Sequence, residues 1–362
     1  MYSLAGLNYT EDECLRMLKS NRTISYRYEL LDMNDRTIGD LTASGSIDFN
    51  SDAVIKRAAS LSVKEVSDID FLNDRVKPFL CLHTPNGVIE YPLGVFLLSS
   101  PNRKASNGTI DRDIDAYDKM QILIDDKFDT RYLIPAHTNY IAAVQTILQS
   151  AGVSADITPS DKETEVATEY AVGTSKADVV NKLLKAMNYT DLWVDASGKF
   201  KSAPYTIPEY RIIEGSYNTD KQSIVLPGAT EEMDIFNAPN KIVRYLEHAE
   251  RGFMTASAVN DDPNSKLSTV SRGRTIVDCE AVTDIADQAT LDAYVQRVAA
   301  EKKIYQYVQF NTATMPNHEY LDCYYIINKE LNVSGKYIET AWKLDMSIGG
   351  KMSHTARKAV TI

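Results

Sequence analysis

Residues 24–30, Ile-Ser-Tyr-Arg-Tyr-Glu-Leu, decide the fold of the first part of the chain, because large and polar side chains alternate along them. In an extended chain, Tyr26, Tyr28 and Leu30 share one face and the residues between them share the other. The same alternation returns at residues 59–64, Ala-Ser-Leu-Ser-Val-Lys. Both stretches therefore predict β-strands with one buried face.

Turn-forming residues separate the strand-like stretches between residues 24 and 127. They occur at Met33-Asn34-Asp35, Pro85-Asn86-Gly87 and Ser106-Asn107-Gly108. Asn, Asp and Gly favour turns because they tolerate backbone conformations that other residues avoid. About six short strands with this spacing predict a barrel or a sandwich. The 21 tyrosines also suit half-buried sheets and wide contact surfaces.

The pattern changes near Pro135, where helical spacing replaces alternation. Apolar residues recur at helical intervals from 137 to 149, and a second helix follows Ser175, whose side chain is a suitable N-cap. Residues 191–203 then predict a hairpin, with a turn at 195–198. Two helices and a hairpin predict a small α+β module.

A second β region follows, with strands predicted at 241–246, 305–310, 324–328 and 340–348. A loop and an amphipathic helix bearing Leu291, Tyr294, Val295 and Val298 interrupt it. The predicted fold class is mainly β with α+β insertions, comprising two β-barrel domains and the small module. The predicted domains are an N-terminal barrel at 1–130, the module at 131–205, a second barrel from 206–249 and 304–362, and a loop-and-helix insertion at 250–303.

Charge and cysteine content exclude several classes of function. The chain has 39 Lys and Arg against 50 Asp and Glu, a net charge of −11. This balance disfavours stable nucleic-acid binding and attachment to an anionic membrane, since both need clustered cations. Four widely spaced cysteines predict reduced thiols, and the N-terminal sequence predicts no signal peptide. The longest apolar stretches are far shorter than the roughly 18 residues of a membrane span.

Two patterns begin like metal-binding motifs without completing them. His318-Glu319 opens like the zinc signature His-Glu-x-x-His, but the fifth position is Asp322. A calcium loop requires Gly at its sixth position and Glu at its twelfth, and the aspartates at 111, 113 and 115 are followed there by Ala116 and Ile122. We therefore expect no metal site at either place.

A basic turn, Ser271-Arg-Gly-Arg274, lacks the glycines and lysine of a phosphate loop. It could grip a carboxylate of a neighbouring subunit, or it could be a solvated turn. The five histidines, at 83, 137, 248, 318 and 354, are scattered, and no Gly-x-Ser-x-Gly motif occurs. We therefore predict no catalytic residues, no cofactor and no metal, and a structural or interaction role rather than an enzymatic one.

Several stretches, in this order, resemble the baseplate hub (tail-tip hub) proteins of tailed bacteriophages, especially those of Gram-positive phages and prophages. They are Gly39-Asp-Leu41 and Ser44-Gly-Ser-Ile47; Tyr91-Pro-Leu-Gly-Val-Phe96 and Asp115-Ala-Tyr-Asp118; Gly173-Thr-Ser175, Trp193-Val-Asp195 and Gly198; Asn237-Ala-Pro-Asn240, Asp262-Pro-Asn-Ser265, Gly273-Arg274, His318 and Leu321-Asp322. The resemblance spans nearly the whole chain.

The resemblance implies a homotrimeric ring in which each subunit contributes two domains related to the tail tube. It implies docking on the distal tail protein ring, contact with the tape measure protein and with receptor-binding or fibre proteins, and transient passage of DNA. The expected location is the virion tail tip, with assembly in the host cytoplasm. Carboxylates lining the channel would repel DNA, or the charge would simply keep the subunit soluble.

Two alternatives remain at this stage. One is a peptidoglycan hydrolase of a phage tail; many relatives carry such a module beyond the hub, whereas this chain stops at Thr361-Ile362, which speaks against lytic activity. The other is a secreted carbohydrate-binding protein, against which the absence of a signal peptide weighs.

Overall fold

The computed structural model describes residues 3–64, 69–99, 102–106, 109–220, 223–233, 236–282, 284–302 and 306–358. Within these ranges strands dominate, so the predicted mainly β class with small α-helical insertions is confirmed. The predicted turn at Asn107-Gly108, the strand start at Tyr305 and the terminal Thr361-Ile362 lie outside the described residues. The helices are α1 (Glu11–Leu18), α2 (Met120–Asp125), α3 (Tyr140–Ser150), α4 (Lys176–Ala186), α5 (Thr269–Arg272) and α6 (Gln288–Lys302), with a 3-10 turn at Pro208–Tyr210.

The strands fall into one large sheet and three small ones. They are β1 (Thr23–Leu31), β2 (Thr37–Leu41), β3 (Ala43–Asn50), β4 (Arg57–Lys64), β5 (Arg75–Thr84), β6 (Gly87–Pro92), β7 (Phe96–Leu98), β8 (Asn102–Ser106), β9 (Thr109–Asp118), β10 (Tyr132–Ile134), β11 (Ala155–Ile157), β12 (Thr168–Tyr170), β13 (Trp193–Val194), β14 (Phe200–Ser202), β15 (Gly215–Asn218), β16 (Val225–Met233), β17 (Lys241–His248), β18 (Gly252–Val259), β19 (Val277–Ala281), β20 (Gln306–Ala313), β21 (Cys323–Asn328), β22 (Val333–Asp345) and β23 (Lys351–Lys358).

The large sheet joins the two predicted β regions. Its order is β16-β20-β23-β22-β3-β4-β9-β7-β5-β1-β2, with β15, β21, β6 and β8 attached at its sides. The seam is the antiparallel pair β3 and β22, where Phe49 lies opposite Trp342 and the two rings stack at 5.4 Å. The order starts at β16 and ends at β2, so in the described part of the chain the sheet does not close into the two barrels that the sequence suggests.

The N-terminal strands alternate as the sequence predicts. Along β4 the burial of side chains switches at every residue, and Ala59, Leu61 and Val63 face the core. Gly45 of β3 lies against β4 so closely that a Cβ atom there would stand 2.0 Å from the carbonyl oxygen of Ser60. Close approach of two backbones therefore explains a glycine inside this strand.

Helix α1 precedes these strands, and the sequence analysis did not predict it. Thr10 and Glu13 form a reciprocal capping box at its start. The side chains of Cys14 and Leu18 are buried in the N-terminal core. A short helix of this kind is stabilised by its cap and by the apolar face that it buries.

The two helices and the hairpin predicted between residues 130 and 205 are present. The side chain of Asn139 caps α3, and that of Ser175 accepts a hydrogen bond from the Asp178 amide at the start of α4. The predicted hairpin is the antiparallel pair β13 and β14. The apolar faces of both helices pack around Phe200 in one hydrophobic cluster.

The segment from 250 to 303 differs from the predicted loop and helix. It contains β18 and β19, which flank β17 in a three-stranded sheet, and α6 packs on that sheet through Leu291 and Val295. Strand β19 runs parallel to β17, whereas β18 runs antiparallel to it. Strand β22 also begins earlier than predicted, at Val333. No helix in the described ranges is long and apolar enough to cross a membrane.

Candidate functional site

Residues 314–322, the junction loop, connect β20 to β21 and contact the N-terminal strands, the small module and the strands around β22. The Thr314 hydroxyl accepts a hydrogen bond from Arg22 Nη2 at 2.9 Å. The carbonyl of Leu321 accepts one from Arg211 Nη1 at 3.1 Å. Arg22 precedes β1 and Arg211 follows the 3-10 turn, so the conformation of the junction loop depends on how these two distant segments are placed.

Arg57, on β4, is a buried cation at this junction. Its guanidinium donates to the His318 carbonyl at 2.9 Å and to the Val194 carbonyl at 3.4 Å, and lies 3.1 Å from the carboxylate of Glu319. Its side chain is only 2% exposed. Glu319 also accepts the amide of Ala196. One buried ion pair thus ties the N-terminal strands, the module and the junction loop together.

Aromatic contacts complete the packing of the junction loop. The ring of Tyr320 lies 5.3 Å from that of Trp193 and 6.4 Å from that of Phe49. The ammonium group of Lys56, itself buried, lies 4.4 Å from the Tyr320 ring centre. A cation over an aromatic face is stabilised by the ring quadrupole, which accounts for the burial of this lysine.

A second polar group lies directly behind the loop, and we call His318, Glu339 and His354 the His–Glu–His cluster. Glu339 Oε2 lies 2.5 Å from His318 Nδ1, and Glu339 Oε1 lies 2.6 Å from His354 Nδ1. The three residues are 3%, 2% and 2% exposed. They come from the junction loop, β22 and β23, so distant parts of the sequence meet at one carboxylate.

Hydroxyl groups lie within hydrogen-bonding distance of Nε2, the imidazole nitrogen that points away from Glu339, in both histidines. Nε2 of His318 lies 2.7 Å from the Tyr217 hydroxyl, and Nε2 of His354 lies 2.8 Å from Thr312 Oγ1. The His354 ring stacks on Phe310 at 4.7 Å. All four ring nitrogens of His318 and His354 therefore have a partner, and stacking on Phe310 fixes the plane of the His354 ring.

Burial sets the acid–base behaviour of the carboxyl groups here. Burial alone would raise the pKa of Glu339, but the charges and hydrogen bonds of the two histidines hold it at about 2. Burial raises the pKa of Asp322 to about 6 and that of Asp118 to about 6. Asp118 accepts the backbone amides of Arg57 and Met120. Glu339 is therefore an anion at neutral pH, while the two aspartates titrate near pH 6.

The structure brings together only some of the residues that the sequence singles out. His318 meets His354, which lies 36 positions further on, rather than Asp322; the carboxylate of Asp322 instead accepts the Glu319 amide at 2.9 Å. His318 and Glu319 lie in a loop, in neither a helix nor a strand. The cluster residues could hold a metal ion, because one ligand atom from each lies within 4.8 Å of the others.

The other sequence motifs have local partners. Asp111, Asp113 and Asp115 lie on β9, where Asp113 pairs with Lys104. The basic turn overlaps the end of α5, and both of its arginines donate to the Phe236 carbonyl of the same chain. These contacts favour the interpretation as an ordinary turn.

The four thiols are free, as expected. Cys14, Cys81 and Cys323 are buried, whereas Cys279 is exposed. Burial suits the predicted use of cysteine as a small apolar residue at the first three positions.

A cavity of about 330 Å³ adjoins the cluster. Tyr217 and Tyr324 contribute to its wall, and their rings also lie against the imidazole of His318. Lys19 of the α1 end and Glu214 line its opposite parts. The cluster is thus separated from this cavity by the two tyrosine rings.

Large apolar side chains are exposed at several positions outside the cores. Ile38 on β2 is 53% exposed and Met233 on β16 is 52% exposed. These two strands end the large sheet, and each pairs on one side only within the described residues. Unpaired strand edges with apolar side chains are suited to contact with another chain.

The fold is shared with solved tail proteins. It matches the tail protein from Neisseria meningitidis MC58 with a TM-score of 0.64 and 11% identity, over 92% of this chain and 97% of that one. It matches the 43 kDa tail protein of prophage MuSo2 from Shewanella oneidensis with a TM-score of 0.62 and 10% identity, over 91% and 98% of the chains. It matches prophage tail protein gp18 from Listeria monocytogenes EGD-e with a TM-score of 0.59 and 14% identity, over 91% and 94%. No protein-family model and no curated protein sequence matches the chain.

Proposed function

We propose that this chain is the structural hub of a phage tail tip, in which copies of the subunit form a ring around the DNA channel. The observation that carries the proposal is the whole-length likeness to the three tail proteins, which leaves less than a tenth of either chain unmatched. A shared fold alone does not fix function. The proposal therefore also draws on the surfaces of this chain.

The open ends of the large sheet support a ring. A contact between two different surfaces, repeated by rotation, closes when the rotation divides a full circle. Strands β2 and β16 provide two such surfaces, with Ile38 and Met233 exposed. We infer a homotrimer in which the β2 end of one subunit lies next to the β16 end of its neighbour.

The mass of the purified chain in solution tests this arrangement. Light scattering should give three times 40.4 kDa for the wild-type protein. Ile38→Lys and Met233→Lys should each shift the mass towards one chain, because a buried lysine without a partner is unfavourable. Leu133→Lys, a change at an exposed position of β10 in the module, should leave the mass of the assembly unchanged. A single-chain mass at every concentration, also in the presence of the distal tail protein, would contradict the ring.

The proposed partners are the distal tail protein ring, the tape measure protein and receptor-binding or fibre proteins, at the virion tail tip after assembly in the host cytoplasm. The net charge of −11 supports a channel that DNA traverses without binding. Replacing carboxylates that line the channel with lysine should slow DNA ejection. Unchanged ejection kinetics would count against this role of the charge.

We further propose that the chain is not an enzyme. The His–Glu–His cluster, in which titratable groups of the described residues converge, is at most 3% exposed, so a polymer substrate has no direct access to it. Zymography on purified cell wall tests the alternative of a peptidoglycan hydrolase. The hub proposal expects no clearing, and a cleared zone from the purified wild-type chain would reverse it.

A further inference from the structure

We propose that the His–Glu–His cluster is a structural site for a divalent metal ion, and that its ligands suit Zn²⁺. His318, Glu339 and His354 contribute ligand atoms that lie within 4.8 Å of one another. Zinc keeps roughly 2.0–2.2 Å from nitrogen and oxygen, so the Nδ1 atoms, now 2.5 and 2.6 Å from the Glu339 oxygens, would move apart slightly to admit the ion. The proposal does not depend on the tail-tip function, and it departs from the sequence-based expectation of no metal.

Protein groups orient both imidazoles so that Nδ1 points at the same carboxylate. Nε2 of His354 lies 2.8 Å from the Thr312 hydroxyl, and Nε2 of His318 lies 2.7 Å from the Tyr217 hydroxyl. The two Nδ1 atoms face Glu339 at 2.6 Å and 2.5 Å. Neutral imidazoles with their protons on Nε2 would present both Nδ1 lone pairs to an ion bound by Glu339.

The donor set is one that zinc uses. The two carboxylate oxygens of Glu339 face the Nδ1 atoms of His318 and His354, one each. Two histidines and one glutamate supply three ligands, and the second oxygen of Glu339 or a water would fill the fourth position of a four-coordinate ion. The Tyr217 and Thr312 hydroxyls hold the far nitrogens. Such partners orient ligating histidines in metal sites, so the supporting contacts are also present.

Hydrogen bonds without a metal ion are the competing explanation of the cluster. Protons on both Nδ1 atoms would let the two imidazoles donate to the Glu339 carboxylate at 2.5 Å and 2.6 Å. A metal ion would replace these protons and would neutralise a carboxylate that is 2% exposed.

An ion at this place would connect separate segments of the chain, and it could enter from the neighbouring cavity. An ion bound here would fasten the junction loop, through His318, to β22 and β23. The 330 Å³ cavity reaches Tyr217 and Tyr324, whose rings lie 6.0 Å and 4.8 Å from the His318 ring. Movement of these two rings would admit an ion from the cavity.

Titration of the full-length, tag-free chain with Co²⁺ tests the site. After treatment with a chelator, the wild-type protein should bind one Co²⁺ per chain, with the visible absorption of four-coordinate cobalt, and Zn²⁺ should displace it. Tyr217→Phe keeps the ring and removes only the hydroxyl that orients His318. It should weaken Co²⁺ binding by about 10- to 100-fold. His83→Gln, a change at an exposed histidine bonded to Ser25, should leave binding unchanged.

His354→Gln should abolish Co²⁺ binding while its circular dichroism stays that of a folded chain. If this variant does not fold, the wild-type titration and Tyr217→Phe decide the question. A wild-type chain that binds neither Co²⁺ nor Zn²⁺ would overturn the proposal, and hydrogen bonds alone would then hold the three side chains together. Equal binding by the wild type, Tyr217→Phe and His354→Gln would overturn it as well, because the metal would lie elsewhere.

Discussion

Replacing Arg57 with methionine tests how strongly the junction loop depends on one buried ion pair. Methionine keeps an unbranched apolar stem and removes the charge. The change would leave the carboxylate of Glu319, 12% exposed, without its cation. It would also leave the carbonyls of His318 and Val194 without their donor. Stranding one member of a buried pair costs about 3–5 kcal/mol of unfolding free energy.

A matched surface pair separates burial from charge. Arg131 and Glu169 lie 3.1 Å apart, the same distance as Arg57 and Glu319, but their side chains are 76% and 46% exposed. Exposed pairs contribute about 1 kcal/mol or less, because water screens them. Arg131→Met should therefore leave the unfolding free energy nearly unchanged.

Urea unfolding followed by circular dichroism measures both variants. The double variant Arg57→Met with Glu319→Gln should lose less than the sum of the single losses, by about 1–3 kcal/mol, since it no longer strands a charge. An Arg57→Met loss as small as that of Arg131→Met would refute the reasoning. Strict additivity in the double variant would do the same.

Three further predictions concern single positions. Gly45→Ala should lower the unfolding free energy by at least about 2 kcal/mol, because the new Cβ atom would meet the Ser60 carbonyl oxygen at 2.0 Å. Gly39→Ala, a change at a position with open space around it, should alter the unfolding free energy by about 0.5 kcal/mol or less. Urea unfolding compares the two variants, and equal effects would contradict the close approach of β3 and β4. Thr10→Ala should cost about 1 kcal/mol and accelerate amide hydrogen exchange throughout α1, because the capping box is lost; unchanged exchange would argue against the cap. Burial raises the pKa of Asp118 to about 6 in the folded chain, above its value of about 4 in the unfolded chain. The protonated Asp118 side chain therefore contributes fully to stability below pH 4, and this contribution declines as the pH rises to 6. Asp118→Asn should make that decline shallower by up to about 3 kcal/mol in urea unfolding at several pH values, and an identical pH profile would contradict the assignment.

Local signals explain which elements the sequence predicts. Ser175 caps α4 and the spacing of apolar residues continues through it, so both the start and the buried face of the helix follow from neighbouring residues. The alternation in β1 and β4 likewise reports which side of each strand is buried. The capping box of Thr10 and Glu13 was also visible in the sequence as Thr-x-x-Glu. It could have predicted α1 and was not used.

Partners distant in sequence explain what remained unpredicted. The pairing of β3 with β22 depends on the fit of two surfaces, and the sequence of either strand does not identify its partner. His318 and His354 meet only because β23 lies beside β22, which presents Glu339 between them. A search for histidines one helical turn apart does not detect such a group. The strands between 250 and 303 were missed because their exposed and half-buried side chains show little apolar alternation.

The pairing of β3 with β22 has a consequence for biosynthesis. β22 leaves the ribosome only after all the residues that separate it from β3 have been translated. During that interval one edge of β3 has backbone amides and carbonyls that lack their final partner, although β4 already covers the other edge. Closing so long a loop is slow. The nascent chain therefore exposes a strand edge that could pair with another copy until β22 covers it.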